Sequence, residues 1–202
     1  GKLFNSGEWA NVPIAFMGSD HHTGWINQAM LKRAGIDATL IKNLPAAEAD
    51  TVGKLKNGEP NGFLVDAGWD RAAAALPPPS DAVLLKAGET AVKYNNSLGI
   101  TAWMDPAANA APGEAVFAMK PTEKSVGILP VYKALAEKGE LTAHVAALLV
   151  ANGKSRPSDL DVLGKVRDQF SGIPNLTLPG IKIFADGVLE YPAQSAALID
   201  PY

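Results

Sequence analysis

The sequence predicts an α/β fold: a parallel sheet or barrel whose strands are covered by helices. Three observations predict it. From Ser80 onward, stretches with helical periodicity alternate with short apolar runs, as helix, strand, helix, strand, helix, strand. The apolar runs at 100–104, 141–150 and 180–187 are nearly continuous, as strands buried on both faces are. Pro77-Pro78-Pro79 separates this regular part from a less regular first part. Connections between parallel strands of one sheet are right-handed. The boundary divides the chain into residues 1–78, a strand-helix-hairpin region, and residues 79–202, the repeated strand and helix units.

The bulk composition sets limits. The chain has 202 residues, 47% of them hydrophobic, and a formal charge of −3. A compact chain of this size buries roughly 70% of its extended surface. The weakly acidic balance points away from nucleic acid and from an anionic membrane surface. No apolar run reaches the ~18 residues that a membrane span needs. Residues 1–5 lack an initiator Met and the apolar run of a signal peptide, which is what a piece of a longer chain would show. With no cysteine in the sequence, disulfides and thiolate sites are excluded, and the compartment is left open.

In chain order, residues 12–17 form a strand candidate with Pro13 near its start. A polar cluster, Ser19-Asp20-His21-His22-Thr23, follows it. Trp25, Ile26, Met30 and Leu31 then recur at helical spacing up to Gly35, predicting a helix over about 24–34. The two histidines would sit where a strand passes to a helix, a place where α/β folds collect their sites; a pair of capping or solvent-facing loop histidines fits the same residues. Residues 36–50 read as irregular. Asn57-Gly58, between Lys54-Leu55-Lys56 and Phe63-Leu64-Val65, predicts a small hairpin, which its short strands and lysines mark as peripheral. Residues 66–76 read as an alanine-rich helix with Asp66 as N-cap.

Past the prolines, Ser80 caps a helix over 81–97, with Val83, Leu84, Ala87, Ala91 and Tyr94 on its apolar stripe and Gly99 beyond its end. The strand at 100–104 runs into Asp105-Pro106. A helix over about 126–138 closes at Gly139. The strand 141–150 carries His144 among apolar neighbours, which reads as a satisfied interior histidine. Ser158 caps a helix over 159–170. The last strand, 180–187, places Lys182, Phe184 and Asp186 on one face and Ile181, Ile183 and Ala185 on the other. A charged pair on an apolar strand is costly to bury without a partner. Two readings of it stand: a wet face or a Lys–Asp pair, and a face that lines an active site.

Dinucleotide and P-loop glycine motifs, Gly-x-Ser-x-Gly and His-Glu-x-x-His are all absent. His21, His22 and His144 are the only histidines, and they supply no full metal site by themselves. Five stretches occur in a telling order: Asp20-His21-His22-Thr23-Gly24-Trp25-Ile26-Asn27, Gly58-Glu59-Pro60-Asn61-Gly62-Phe63-Leu64, Leu98-Gly99-Ile100-Thr101-Ala102-Trp103-Met104-Asp105, Ile181-Lys182-Ile183-Phe184-Ala185-Asp186-Gly187 and the tail from Ser195 to Tyr202. Together they resemble amidohydrolase family 3, which includes N-substituted formamide deformylases and proteins labelled exoenzyme regulatory.

The resemblance implies a metal-dependent hydrolase on a TIM-type (β/α) barrel. This chain would hold its central segment: about three parallel strands, resembling barrel strands two to four, plus a small α+β insertion. The family's opening His-x-His strand and its later His, His and Asp have no counterpart here. Lys182 matches the family lysine that is carboxylated and bridges two divalent metals, with zinc the expected ion. A free ammonium cannot ligate a metal, whereas a carbamate offers two anionic oxygens. In the parent enzyme a metal-bound hydroxide would attack the carbonyl of an amide, formamide or urea. His22 matches the histidine of a Gly-His-Ser motif near the substrate, with His21 standing where the family has Gly. Asp186, on the predicted face of Lys182, joins His22 as a substrate-side residue. No residue of this chain is assigned as catalytic base. The expected partners are a small amide-type substrate of the parent enzyme and a second copy of the chain, met through open sheet edges. A non-catalytic binding or regulatory module on the same fold is the alternative.

Overall fold

The computed structural model describes residues 2–114, 116, 119–152 and 155–200. It is a mixed α/β structure with a four-stranded antiparallel sheet and a three-stranded parallel sheet flanked by helices. The chain divides into two compact units: Gly1–Pro77 together with Asp186–Tyr202, and Pro78–Ala185.

The first unit is built on strands β1 (Ala15–Met17), β2 (Thr23–Ile26), β3 (Val52–Lys54) and β4 (Pro60–Val65), in the order β1-β2-β4-β3. Helices α1 (Gln28–Ala34), α2 (Ala38–Lys42) and α3 (Ala67–Ala73) accompany them. Three expectations are corrected here. Residues 24–26 are strand rather than helix: Thr23, Gly24 and Trp25 pair with Val65, Leu64 and Phe63. The helix starts only after Asn27, whose side chain accepts the Met30 N–H at 3.0 Å. The histidines therefore lie in the turn of an antiparallel hairpin, not at a strand-to-helix junction. Gly24 suits that strand because a Cβ there would lie 2.1 Å from Trp69 Cε3. Second, residues 36–50 contain the short helix α2, capped by Asp37, which accepts from Leu40 N–H at 2.7 Å. Third, the Asn57-Gly58 hairpin forms, with Gly58 at φ +86°, but β4 is an interior strand with Leu64 and Val65 buried, not a peripheral one.

The second unit runs α4 (Asp81–Ser97), β5 (Ala102–Asp105), α5 (Leu129–Glu137), β6 (His144–Ala151), α6 (Pro157–Gln169) and β7 (Leu176–Ile183). Its sheet has the order β5-β6-β7, all parallel, as the alternation of apolar strands and amphipathic helices predicts. Val145, Ala147 and Leu149 of β6 are buried in one core with Leu129 and Leu135 of α5 and Leu163 and Val166 of α6. At about 25 cal/mol per Å2 of apolar surface removed from water, this strand-on-helix burial dominates the unit's stability. Side chains alternate, so His144, Ala146, Leu148 and Val150 point away from the helices.

Details shift within this frame. The cap of α6 is Arg156, with Pro157 in its first turn and Asp159 Oδ2 accepting the Arg156 N–H at 2.8 Å; Ser158 lies inside the helix. The predicted apolar stripe of α4 is largely exposed at Val83 and Tyr94; α4 packs instead through Leu85, Gly88 and Val92. His144 is exposed and so is not a satisfied core histidine, because it opens β6 on the face without helices. β7 starts at Leu176 and ends at Ile183, whereas the sequence predicts 180–187. Pro179 is tolerated inside it because β7 is an edge strand, and the ladder to β6 shifts register between Ala146 and Leu148.

Candidate functional site

Two clusters contain the residues singled out above, one in each unit. In the second unit, Lys182 lies opposite Val150 in the parallel ladder and therefore shares its side of the sheet, the side turned away from α5 and α6. It is half-buried and stands one residue before the C-terminal end of β7. Its Nζ lies 4.8 Å from the centroid of the Phe184 ring, a cation–π contact that leaves the ammonium without a carboxylate partner among the described residues. Neighbouring Val150 is fully buried. Its N–H donates to Asn109 Oδ1 at 2.6 Å, so the fully buried Asn109 side chain continues the backbone pairing where β5 has already ended.

Asp186 does not join Lys182 on a strand face. The strand alternation ends at Ile183, and Asp186 is an exposed residue whose Oδ2 accepts the Ala197 N–H at 3.1 Å. The Lys–Asp pair considered from spacing therefore does not form. At the C-terminal end of β5, Asp105 Oδ2 accepts from the Tyr132 hydroxyl at 2.9 Å. Burial pushes the Tyr132 phenol well above the usual range, and the nearby Asp105 charge adds to that shift.

In the first unit, the turn between β1 and β2 is held by Asp20. Its Oδ1 accepts from the N–H groups of His22 and Thr23, both at 3.0 Å, and from the Thr23 hydroxyl at 2.9 Å. Desolvation raises the Asp20 carboxyl, but these hydrogen bonds outweigh it and hold its pKa below the ordinary value of 3.8. The turn puts His21 at φ +58° and points the His22 ring toward Asp66, with Nδ1 and Asp66 Oδ1 2.6 Å apart. Both side chains are largely buried, 16% and 19% exposed. Asp66, read from the sequence as the cap of α3, makes no capping bond. It stands at φ +44°, ψ −113°, and its N–H donates to the His22 carbonyl at 2.9 Å. Nothing in the sequence links residues 22 and 66; the pairing of Thr23 with Val65 does, and that register follows only once β2 is known to be a strand.

Among the described residues, no three His, Asp or Glu side chains gather where a metal ion could be held, so they do not form a complete metal site on their own. Nor, among them, is any helix long and apolar enough to cross a membrane.

No family model matches the chain. No curated protein matches it. Among solved structures, a similar one is the crystal structure of an uncharacterized metal-dependent hydrolase from Pyrococcus horikoshii OT3, with 18% identity and a TM-score of 0.45. The likeness covers 88% of this chain and 29% of that one, so the chain spans under a third of that neighbour's length.

Proposed function

We propose that this chain is the central part of a metal-dependent amidohydrolase that cleaves C–N bonds of the amide, formamide or urea type. In this reading the second unit supplies part of a TIM-type barrel, with the side of the sheet that bears Lys182 as its interior. Lys182 serves as a metal ligand after carboxylation, and His22 and Asp186 serve on the substrate side. The observation that carries the reading is the position of Lys182: on the side of a parallel sheet turned away from its helices, next to the C-terminal end of its strand. Sites of (β/α) barrels form at that end.

The chemistry required of Lys182 itself is modest. Its neutral amine adds to carbon dioxide and loses a proton, giving an anionic carbamate in place of a cation. The remaining ligands of a divalent ion, zinc in the leading case, would come from polypeptide outside these 202 residues, since those described here assemble no metal site.

The test uses the longer reading frame that contains this sequence. Metal content, the carbamate resonance under 13C-labelled carbon dioxide and turnover of N-substituted formamides are read for the parent and for Lys182→Ala. The variant is expected to lose the carbamate signal and most of the bound metal and activity together. Full metal content and full turnover in Lys182→Ala would overturn the assignment. The 202-residue chain alone is expected to keep far less than one equivalent of zinc after dialysis; near-stoichiometric retention would contradict the reading as well.

A further inference from the structure

Three Asn-Gly pairs occur in the chain: Asn57-Gly58, Asn61-Gly62 and Asn152-Gly153. A glycine after an asparagine leaves its backbone nitrogen open to the side-chain amide, because no Cβ stands in the way. Gly153 lies outside the described residues, and the structure distinguishes the other two pairs. We infer that Asn57 is a self-modification site, which converts in the folded chain through a succinimide to aspartate and isoaspartate. In that step the Gly58 nitrogen loses its proton to water or hydroxide and bonds to Asn57 Cγ. The Cγ–Nδ2 bond breaks, and ammonia leaves with a proton taken from solvent. Water then opens the five-membered ring. Cleavage at Cγ leaves an ordinary aspartate; cleavage at the main-chain carbonyl leaves isoaspartate, with the backbone routed through the side chain. The inference is independent of the hydrolase reading.

Asn57 is exposed in the loop that joins β3 to β4. Leu55 N–H donates to the Glu59 carbonyl at 2.8 Å, which leaves Lys56, Asn57 and Gly58 as the loop. Gly58 stands at φ +86°, and a Cβ there would meet nothing within 4 Å, so there is open space around the reacting nitrogen. Glu59 N–H donates to Asn57 Oδ1 at 3.2 Å. That bond folds the carboxamide forward over the Gly58 peptide and puts a donor on the oxygen that gains charge when Cγ is attacked. One contact works against the step. Gly58 N–H donates to the Leu55 carbonyl at 2.9 Å and must let go first, a delay of about tenfold at an exposed turn. Asn61 makes the same side-chain contact, with Phe63 N–H at 2.8 Å, but its glycine differs. Gly62 is buried in the interior strand β4, where a Cβ would lie 2.3 Å from the Ile26 carbonyl oxygen. Ring closure there needs β4 to open. The backbone therefore singles out Asn57, where the side-chain contacts alone do not. An isoaspartate also lengthens the backbone of a loop whose length sets the pairing of Lys54 with Pro60, so it disturbs the register of β3.

The test is ageing of the 202-residue chain at mildly alkaline pH, followed by peptide mapping with electron-transfer fragmentation, which assigns each site and separates isoaspartate from aspartate. Asn57 is expected to convert first, mainly to isoaspartate, and faster at higher pH because the Gly58 nitrogen must lose a proton. Asn61 is expected to react roughly tenfold or more slowly in the folded chain and to catch up in urea, where β4 is unfolded. Asn57→Gln moves the side-chain amide one methylene further out and should abolish isoaspartate at that site while β3 and β4 stay paired. Equal rates at Asn57 and Asn61 in the folded chain would overturn the inference. So would an Asn57 that stays intact when folded yet converts in urea.

Discussion

Asp20 and Asn27 hold the two ends of β2, and neither does so through hydrophobicity. Asp20 gathers the N–H groups of His22 and Thr23 onto one carboxylate oxygen. Asn27, fully buried, accepts from Ile14 N–H at 2.9 Å and Met30 N–H at 3.0 Å and donates to the carbonyls of Phe4 and Val12, both at 2.8 Å. The helical spacing of Trp25, Ile26, Met30 and Leu31 hides this from the sequence, because it carries the helix back through what is a strand. Asn27, three residues before the buried Met30, is the one cue to the true start. Asp20 also makes the first unit pH-sensitive. Its folded pKa lies below the ordinary 3.8, so its contribution is present above that value and is lost as pH falls through the lower, folded pKa. Urea midpoints should therefore fall more steeply with acid below about the ordinary carboxylate pKa in the parent chain than in Asp20→Asn. Parallel curves for the two proteins would show that the turn carboxylate contributes nothing.

Helix α4 shows what a single element reveals and conceals. Both of its ends are legible: Ser80 accepts from Val83 N–H at 3.4 Å at the start, and Gly99, at φ +75°, follows the finish. The buried face is not. A stripe of Val83, Leu84, Ala87, Ala91 and Tyr94 looks like the core side, yet of these only Leu84 is half-buried, and the helix turns Gly88 inward, where a Cβ would meet Val131 Cγ1 at 2.5 Å. A glycine permits a close approach that hydrophobic periodicity cannot register, since it counts side chains and not their absence. Two alanine substitutions separate packing from propensity. At Gly164, inside α6, an added Cβ would meet nothing within 4 Å, so Gly164→Ala should stabilise by about 0.5–1 kcal/mol. Gly88→Ala gains the same propensity, but crowding against Val131 should leave it less stable than the parent by about 1 kcal/mol. Thermal or urea unfolding of both variants decides the matter. Equal stabilisation by the two would mean that α4 does not pack on α5 through Gly88.

Across the whole chain, the second unit was legible and the first was not, for one physical reason. In the second, β5 and β6 are apolar runs bracketed by Gly or Pro, so their type and order follow from the pattern, whereas β7 starts before its pattern does because Pro179 and Gly180 lie inside it. In the first, β1 and β3 have only three residues each, too few to show a period, and the sheet is defined by pairings distant in sequence. The parallel sheet also makes a demand that the chain does not visibly meet. Its outer strands are β5 and β7. Ile181 and Ile183 share the side of Leu149 and Ala151 but remain 40% and 52% exposed, and Met104 on β5 is 62% exposed. Edge strands with exposed apolar side chains offer backbone donors and acceptors to a second chain. Pro179 removes one donor from β7 but leaves the segment beyond it able to pair. Self-association through that segment is the expected behaviour, and sedimentation velocity over a dilution series should show an average mass that rises with concentration. Ile183→Lys places a charge on the edge and should return the chain toward monomer without loss of secondary structure. A monomer at every concentration in the parent chain would show that the edge of β7 is already protected.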